Sequence, residues 1–148
     1  VDSPSSFNYS VKTGSTFDLL ETSSGRVLLA FQNEEERQRR LKRRKLFMKL
    51  QKKKYNSTYN VLEKKFSSKI IHEIIKNKCE VVKSLQVNGV TNISVPVFDH
   101  TNQAIAAVTI PFLQRIKKDS LNDMSLINTT KLLKEQALIL SKSLGFQS

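Results

Sequence analysis

Sulfur and imidazole are scarce in this sequence. The single cysteine, Cys79, has no partner for an internal disulfide, which fits a reducing compartment such as the cytoplasm. Two histidines, His72 and His100, together with that cysteine are too few and too scattered for a zinc site. His72 and Cys79 would share a helical face only if one helix ran through both, and Asn77-Lys78 argues that it stops. A Cys–His nucleophile is therefore not expected. No apolar run approaches the ~20 residues that span a bilayer, so no membrane contact is expected. Gly-x-Gly-x-x-Gly, P-loop and His-Glu-x-x-His patterns are all missing, as are repeats and heptads. Nothing assembles a catalytic constellation, and no cofactor or metal is implied. The chain opens at Val1 with neither an initiator Met nor a charged-then-apolar leader, and is expected to be a fragment of something longer.

What remains is enough for one globular domain: 148 residues, 39% of them hydrophobic. The formal charge of +12 is local, because residues 37–54 hold eleven of the 25 Lys and Arg and no acid. Outside that stretch 14 basic residues face 13 acidic ones. Such a run reads first as a solvated helical face. Its alternative is a surface, centred on Arg39, Arg40, Arg43 and Arg44, for nucleic acid or an acidic partner. Aromatics stand only at its ends (Phe47, Tyr55), so it offers no stacking platform for bases, and any DNA contact would be to phosphate. Four Asn-x-Ser/Thr matches, at Asn8, Asn56, Asn92 and Asn128, are read as chance occurrences in a Ser/Thr/Asn-rich chain.

Asn88–Pro111 is the stretch the rest is organised around. Ile93–Phe98 and Ala104–Ile110 are β-branched and apolar enough for two strands, and Asp99–Gln103 carries the chemistry of a tight turn. Asp99 beside His100 is thus given a structural role. Pro96 needs a place where its missing donor is not required. Val95, Val97, Phe98, Ile105 and Val108 are expected to pack, leaving Asn92 and Thr109 as the polar exceptions on one wall of a pocket.

Upstream, Phe7, Tyr9 and Val11 alternate with polar residues and predict a strand within Val1–Lys12. Thr22, Ser23 and Ser24 are each competent to cap a buried helix over Val27–Phe31, whose N–H groups and dipole would suit an anion. Asn33 and Glu34–Glu36 open a second helix into the basic run. Its Leu41 and Met48 lie opposite Leu46, Phe47 and Leu50, so either two helices meet near Lys45 or one helix packs on two sides. Phe66–Asn77 predicts a helix opened by Ser67 or Ser68, with Ile70, Ile71, Ile74 and Ile75 as its apolar stripe and His72 at the surface. Cys79–Lys83 reads as a strand, and a last helix spans Met124–Ser143 until Gly145 stops it. This order favours α+β, an antiparallel sheet with helices packed on it.

Several of these stretches resemble one family. Leu20–Ala30 (LETSSGRVLLA) resembles the "LHATAxGKALLA" segment of the effector-binding domain of IclR-type transcriptional regulators. Gly89–Asp99 (GVTNISVPVFD) resembles that family's "G(V/L)xxIAAPVFD" strand and turn, and Ala106–Leu113 its next strand. The helix ending in Leu144-Gly145-Phe146 fits as well, and the resemblance covers almost the whole chain. It implies a GAF-like α+β domain that binds a small, often carboxylate-bearing metabolite. It also implies a homodimer or homotetramer that reaches DNA through an N-terminal winged helix-turn-helix. No such segment is present among these 148 residues, so the chain is expected to be the sensor alone. Carried over by position, the family's pocket falls on Ser23, Ser24, Gly25, Val82, Asn92 and Thr109. The departures are Glu21 for a histidine, Arg26 for the usual lysine, Asn92 where others have cysteine, and Val82-Lys83 where some carry an acid. No single member's effector can therefore be inherited.

Overall fold

A computed structural model describes residues 13–15, 17–50, 62, 66–113 and 125–147. The strand expected within Val1–Lys12 lies outside them. The elements run α1 (Ser23–Ala30), α2 (Glu34–Leu50), α3 (Ser68–Asn77), β1 (Glu80–Lys83), β2 (Val90–Phe98), β3 (Ala104–Leu113) and α4 (Leu126–Ser143). The strands form one antiparallel sheet in the order β1-β2-β3. Helix α4 covers one face of this sheet and α1 the other, with α3 and α2 packed outside α1. The fold is α+β, as the order of elements anticipated.

Strand alternation divides the core in two. Ile93, Val95 and Val97 of β2 point to α4, where they join Cys79, Leu133 and Ala137, with Val108, Ile110 and Phe112 of β3 at the margin. On the other side Leu20, Val27, Leu29, Ala30, Phe66 and Ile74 form the second cluster, reached from β3 by Ala107. The odd-numbered residues of β2 thus build the α4 layer, while even-numbered Asn92, Ser94 and Pro96 turn toward α1. Strand β1 begins with Glu80 opposite Ser94, so Pro96 lies outside that ladder, where a missing donor is tolerated.

The hairpin contains one irregularity. Val97 pairs with Ala106 and Phe98 with Ala104, which leaves Ile105 as the extra residue of a bulge. Ile105 is 54% exposed, which corrects its expected place in the packing. The bulge also diverts the Phe98 N–H, which donates to Ser141 Oγ of α4 at 3.0 Å. Ser141 Oγ donates in turn to Ala137 O at 2.7 Å, so a fully buried hydroxyl rivets the last helix to the hairpin. The Phe98 ring sits edge-on to Phe31 and stacked on Phe146, with centroids 5.1 and 5.0 Å away. Gly145 stops α4 as expected: at φ +85° it donates to Lys142 O while Phe146 N donates to Ser141 O.

In the turn, Asp99 Oδ1 accepts from Thr101 N and Thr101 Oγ1, and Asn102 takes φ 61°. Asp99 is structural, and the Thr101 hydrogen bonds hold its carboxyl below the usual range. Thr22 is the residue that caps the first helix, its Oγ1 accepting from Gly25 N, so α1 begins four residues before the expected Val27.

Helix α2 is continuous, so the alternative of two helices meeting near Lys45 is set aside. Its buried side is Arg37, Leu41, Arg44 and Met48, spaced four, three and four apart, whereas Leu46 and Phe47 are 58% and 52% exposed. Among the described side chains, which exclude that of Leu50, the helix packs on one side, and half of that seam is arginine. Arg37 donates to Leu29 O and Ala30 O at the C-terminus of α1 and to Gln32 O just beyond it. The α3 stripe is partly realised, with Ile74 buried, Ile70 and Ile71 half-buried and Ile75 exposed.

Candidate functional site

Ladder register brings the polar positions of the hairpin to one face. Glu80, Ser94 and Thr109 form one rung across the three strands, and Val82, Asn92 and Pro111 form the next on the same face. The first turn of α1 stands over these rungs. Ser23 Oγ lies 2.6 Å from Ser94 Oγ, and Ser94 Oγ lies 2.7 Å from Thr109 Oγ1. Three hydroxyls therefore run in line from the start of a helix, through a central strand, to an edge of the described sheet. Ser23 and Ser94 are buried, while Thr109 is exposed, so the line opens to solvent at one end.

Of the residues expected at the pocket, Ser23 and Thr109 meet through this line. Asn92 is half-buried one rung away, and its carboxamide makes no hydrogen bond among the described residues. Val82 sits beside it, half-buried. Ser24 is half-buried in the first turn of α1. Gly25 has a steric reason to be glycine: an added Cβ would fall 2.1 Å from Leu19 O and 2.8 Å from Thr22 Oγ1. Ser94 was missed by sequence reasoning. The available signal was period two, because a serine between Asn92 and Pro96 shares their face.

Arg26, the residue in place of the family's lysine, is buried beneath this face. Its Nε donates to Glu80 Oε1 and Oε2 at 2.9 and 3.0 Å, and one terminal nitrogen donates to Leu20 O at 2.6 Å. Burial pushes the Glu80 carboxyl up, and outweighs the opposing pull of Arg26. The pair ties β1 to the loop before α1 and leaves no net charge under the hydroxyl line.

The basic surface expected at Arg39, Arg40, Arg43 and Arg44 needs correction at one position. Arg44 is not a surface cation: its side chain and that of Asp18 are each 6% exposed, and its Nε reaches both Asp18 oxygens at 3.0 and 2.7 Å. Arg39 and Arg40 are exposed, and their Nε atoms share Glu36 at 2.7 Å each, which lowers that carboxyl to about 2. Arg43 is exposed. His72 and His100 are exposed as well, and Cys79 is buried in the sheet core. Among the described residues no cluster of three His, Cys, Asp or Glu could hold a metal ion, and no helix is long and apolar enough to cross a membrane.

The family described as bacterial transcriptional regulator IclR C-terminal matches residues 1–141. The chain belongs to this family. Comparison with curated protein sequences finds no match. Among solved structures, Thermotoga maritima IclR aligns with a TM-score of 0.65 at 25% identity, over 99% of this chain and 55% of that one. The Agobacterium tumefaciens repressor BlcR aligns with a TM-score of 0.61 at 17% identity, over 97% of this chain and 53% of its own. The chain thus spans about half the length of these two neighbours. The inducer-binding domain of the Acinetobacter PobR transcription factor, a double mutant in complex with 3-hydroxybenzoic acid, aligns with a TM-score of 0.55 at 21% identity, over 95% of this chain and 74% of that domain. The IclR C-terminal family is one of transcriptional regulators rather than an enzyme class.

Proposed function

We propose that this domain senses a small metabolite against the α1-facing side of its sheet and passes that signal to an attached winged helix-turn-helix. The observation that carries this reading is the hydroxyl line Ser23–Ser94–Thr109, flanked by an Asn92 carboxamide uncommitted among the described residues. Together they set donors and acceptors at fixed spacing beside the first turn of a helix, where N–H groups and the dipole favour negative charge. Arg26 is already neutralised by Glu80, so a carboxylate here is held by hydrogen bonds rather than by an ion pair. A small carboxylic acid with a ring or short chain is the ligand class proposed, in keeping with the hydroxybenzoate in the PobR neighbour. Ser24, Gly25 and Val82 complete the proposed lining.

The coupling requires that the ligand bind one quaternary arrangement more tightly than another. We place that arrangement in a cytoplasmic homodimer or homotetramer without catalytic activity. Six apolar residues along α4 and its cap support self-association, Ile127 and Ile139 being 79% and 61% exposed. A thermal-shift screen of the chain against small aliphatic carboxylates and phenolic acids tests the reading. At least one ligand is expected to stabilise the wild type, with Asn92→Ala and Thr109→Val each losing most of that shift. Stabilisation that survives both substitutions would move the site elsewhere.

A further inference from the structure

We propose that the cleft between α2 and residues 17–21 is a second ligand site, independent of the hydroxyl line, that takes a small organic phosphate bearing a planar ring. Glu36, Arg40, Arg43 and Phe47 follow one another at four, three and four residues, so they form a single stripe down one side of α2. That stripe faces Phe17 across a cleft of ≈480 Å³, within the range of about 300–1,000 Å³ typical of small-molecule sites.

The ion pairs of the cleft leave its strongest donors unused. Asp18 is committed to Arg44, and both are buried. Glu36 is shared by Arg39 and Arg40, but only through their Nε atoms. The terminal guanidinium nitrogens of both arginines meet no acceptor among the described residues. Arg43, one turn from each, makes no hydrogen bond or ion pair there at all. Four guanidiniums line the cleft against the three carboxylates of Asp18, Glu21 and Glu36, an excess of one positive charge. The guanidinium forks of Arg39, Arg40 and Arg43 on one cleft match the oxygens of a phosphate. Beside them the rings of Phe17 and Phe47 stand 50% and 52% exposed, two apolar surfaces on the cleft. A phosphate for the arginines and a ring for the phenylalanines satisfy both halves of the cleft, as a nucleotide or an aryl phosphate would.

Isothermal titration of the chain with phenyl phosphate, AMP, inorganic phosphate and a 20-base-pair duplex tests the assignment. Phenyl phosphate and AMP are expected to bind about tenfold more tightly than inorganic phosphate, because only they carry a ring. Arg43→Gln should weaken phenyl phosphate about tenfold, the loss of a charge-assisted hydrogen bond. Phe47→Ala should erase the advantage of phenyl phosphate over inorganic phosphate. Lys42→Gln, an exposed cation of α2 outside the cleft, should change nothing. All three substitutions are at exposed positions, and circular dichroism checks their fold. Absence of binding by the ring phosphates overturns the proposal. So does equal weakening by Lys42→Gln and Arg43→Gln, or binding of the duplex alone, since each describes a general polyanion surface rather than a site.

Discussion

Ser94 is the residue on which the hydroxyl line depends, and its loss is expected to be felt unequally by its two partners. It is 0% exposed and contacts Ser23 Oγ at 2.6 Å and Thr109 Oγ1 at 2.7 Å. Each hydroxyl has one proton and two lone pairs, so Ser94 donates to at most one neighbour and accepts from at least one. In Ser94→Ala the exposed Thr109 hydroxyl turns to water at little cost. Ser23, 2% exposed, is left with a buried polar group and no replacement partner. Stranding such a group costs about 1–3 kcal/mol, which for a chain of this size lowers the melting temperature by roughly 2–4 °C per kcal/mol. Ser23→Ala alone should cost less, about 1 kcal/mol, because Ser94 keeps its bond to Thr109. The double variant should then be no worse than Ser94→Ala, since the stranded hydroxyl is gone with its partner. Urea denaturation of the four proteins gives the cycle directly. Additive single effects, or a Ser94→Ala protein as stable as wild type, would refute the shared line.

Three further outcomes follow from the same structure. Gly25→Ala drives a Cβ to 2.1 Å from the Leu19 carbonyl and should destabilise the fold by about 1–3 kcal/mol in a chemical melt, whatever ligand is present. Asp18→Asn leaves Arg44 charged and buried without its carboxylate, at a cost of about 3–5 kcal/mol, and Asp18→Asn/Arg44→Met should recover much of that loss. NMR titration of Glu36 should find its carboxyl midpoint near 2, because Arg39 and Arg40 hold the charged form, and Arg39→Gln/Arg40→Gln should return it toward the ordinary ~4.3. A depressed carboxyl stabilises above its unfolded value, so this contribution is complete above about pH 4.3 and disappears as pH falls through about 2.

Elements were legible where one local rule decided them. β-Branched and apolar composition in Ile93–Phe98 and Ala104–Ile110 gave the strands, the turn chemistry of Asp99–Gln103 gave the turn, and Gly145 marked its helix end because a left-handed residue is needed there. The rule failed where one residue shifted the register. Ile105 is as apolar and β-branched as its neighbours, yet the bulge at Val97/Phe98 turns it outward, and a bulge has no signature in a run of alanine, isoleucine and valine. Ser94 was passed over for a different reason. A lone serine in an apolar strand looks like filler until its partner Ser23, 71 positions earlier, is brought above it. Asn92 and Thr109 announced themselves by their setting, whereas the residue that joins Thr109 to the helix did not.

The basic run gives the same lesson about burial. Apolar residues at helical spacing mark only Leu41 and Met48 on this seam, because its other two positions are Arg37 and Arg44. Both bury their stems and spend their guanidinium groups inside the protein, Arg37 on the carbonyls that end α1 and Arg44 on Asp18. An eight-residue helix such as α1 has little stability of its own. Arg37 fixes its far end, while Arg26 anchors the loop before it to Glu80 and the Leu20 carbonyl. The position of Ser23 over Ser94, and with it the geometry of the candidate site, is therefore set by arginines from both sides. Composition counted these residues as surface charge. In the folded chain Arg37 and Arg44 are structural, while Arg39, Arg40 and Arg43 are the exposed arginines of the run at the cleft.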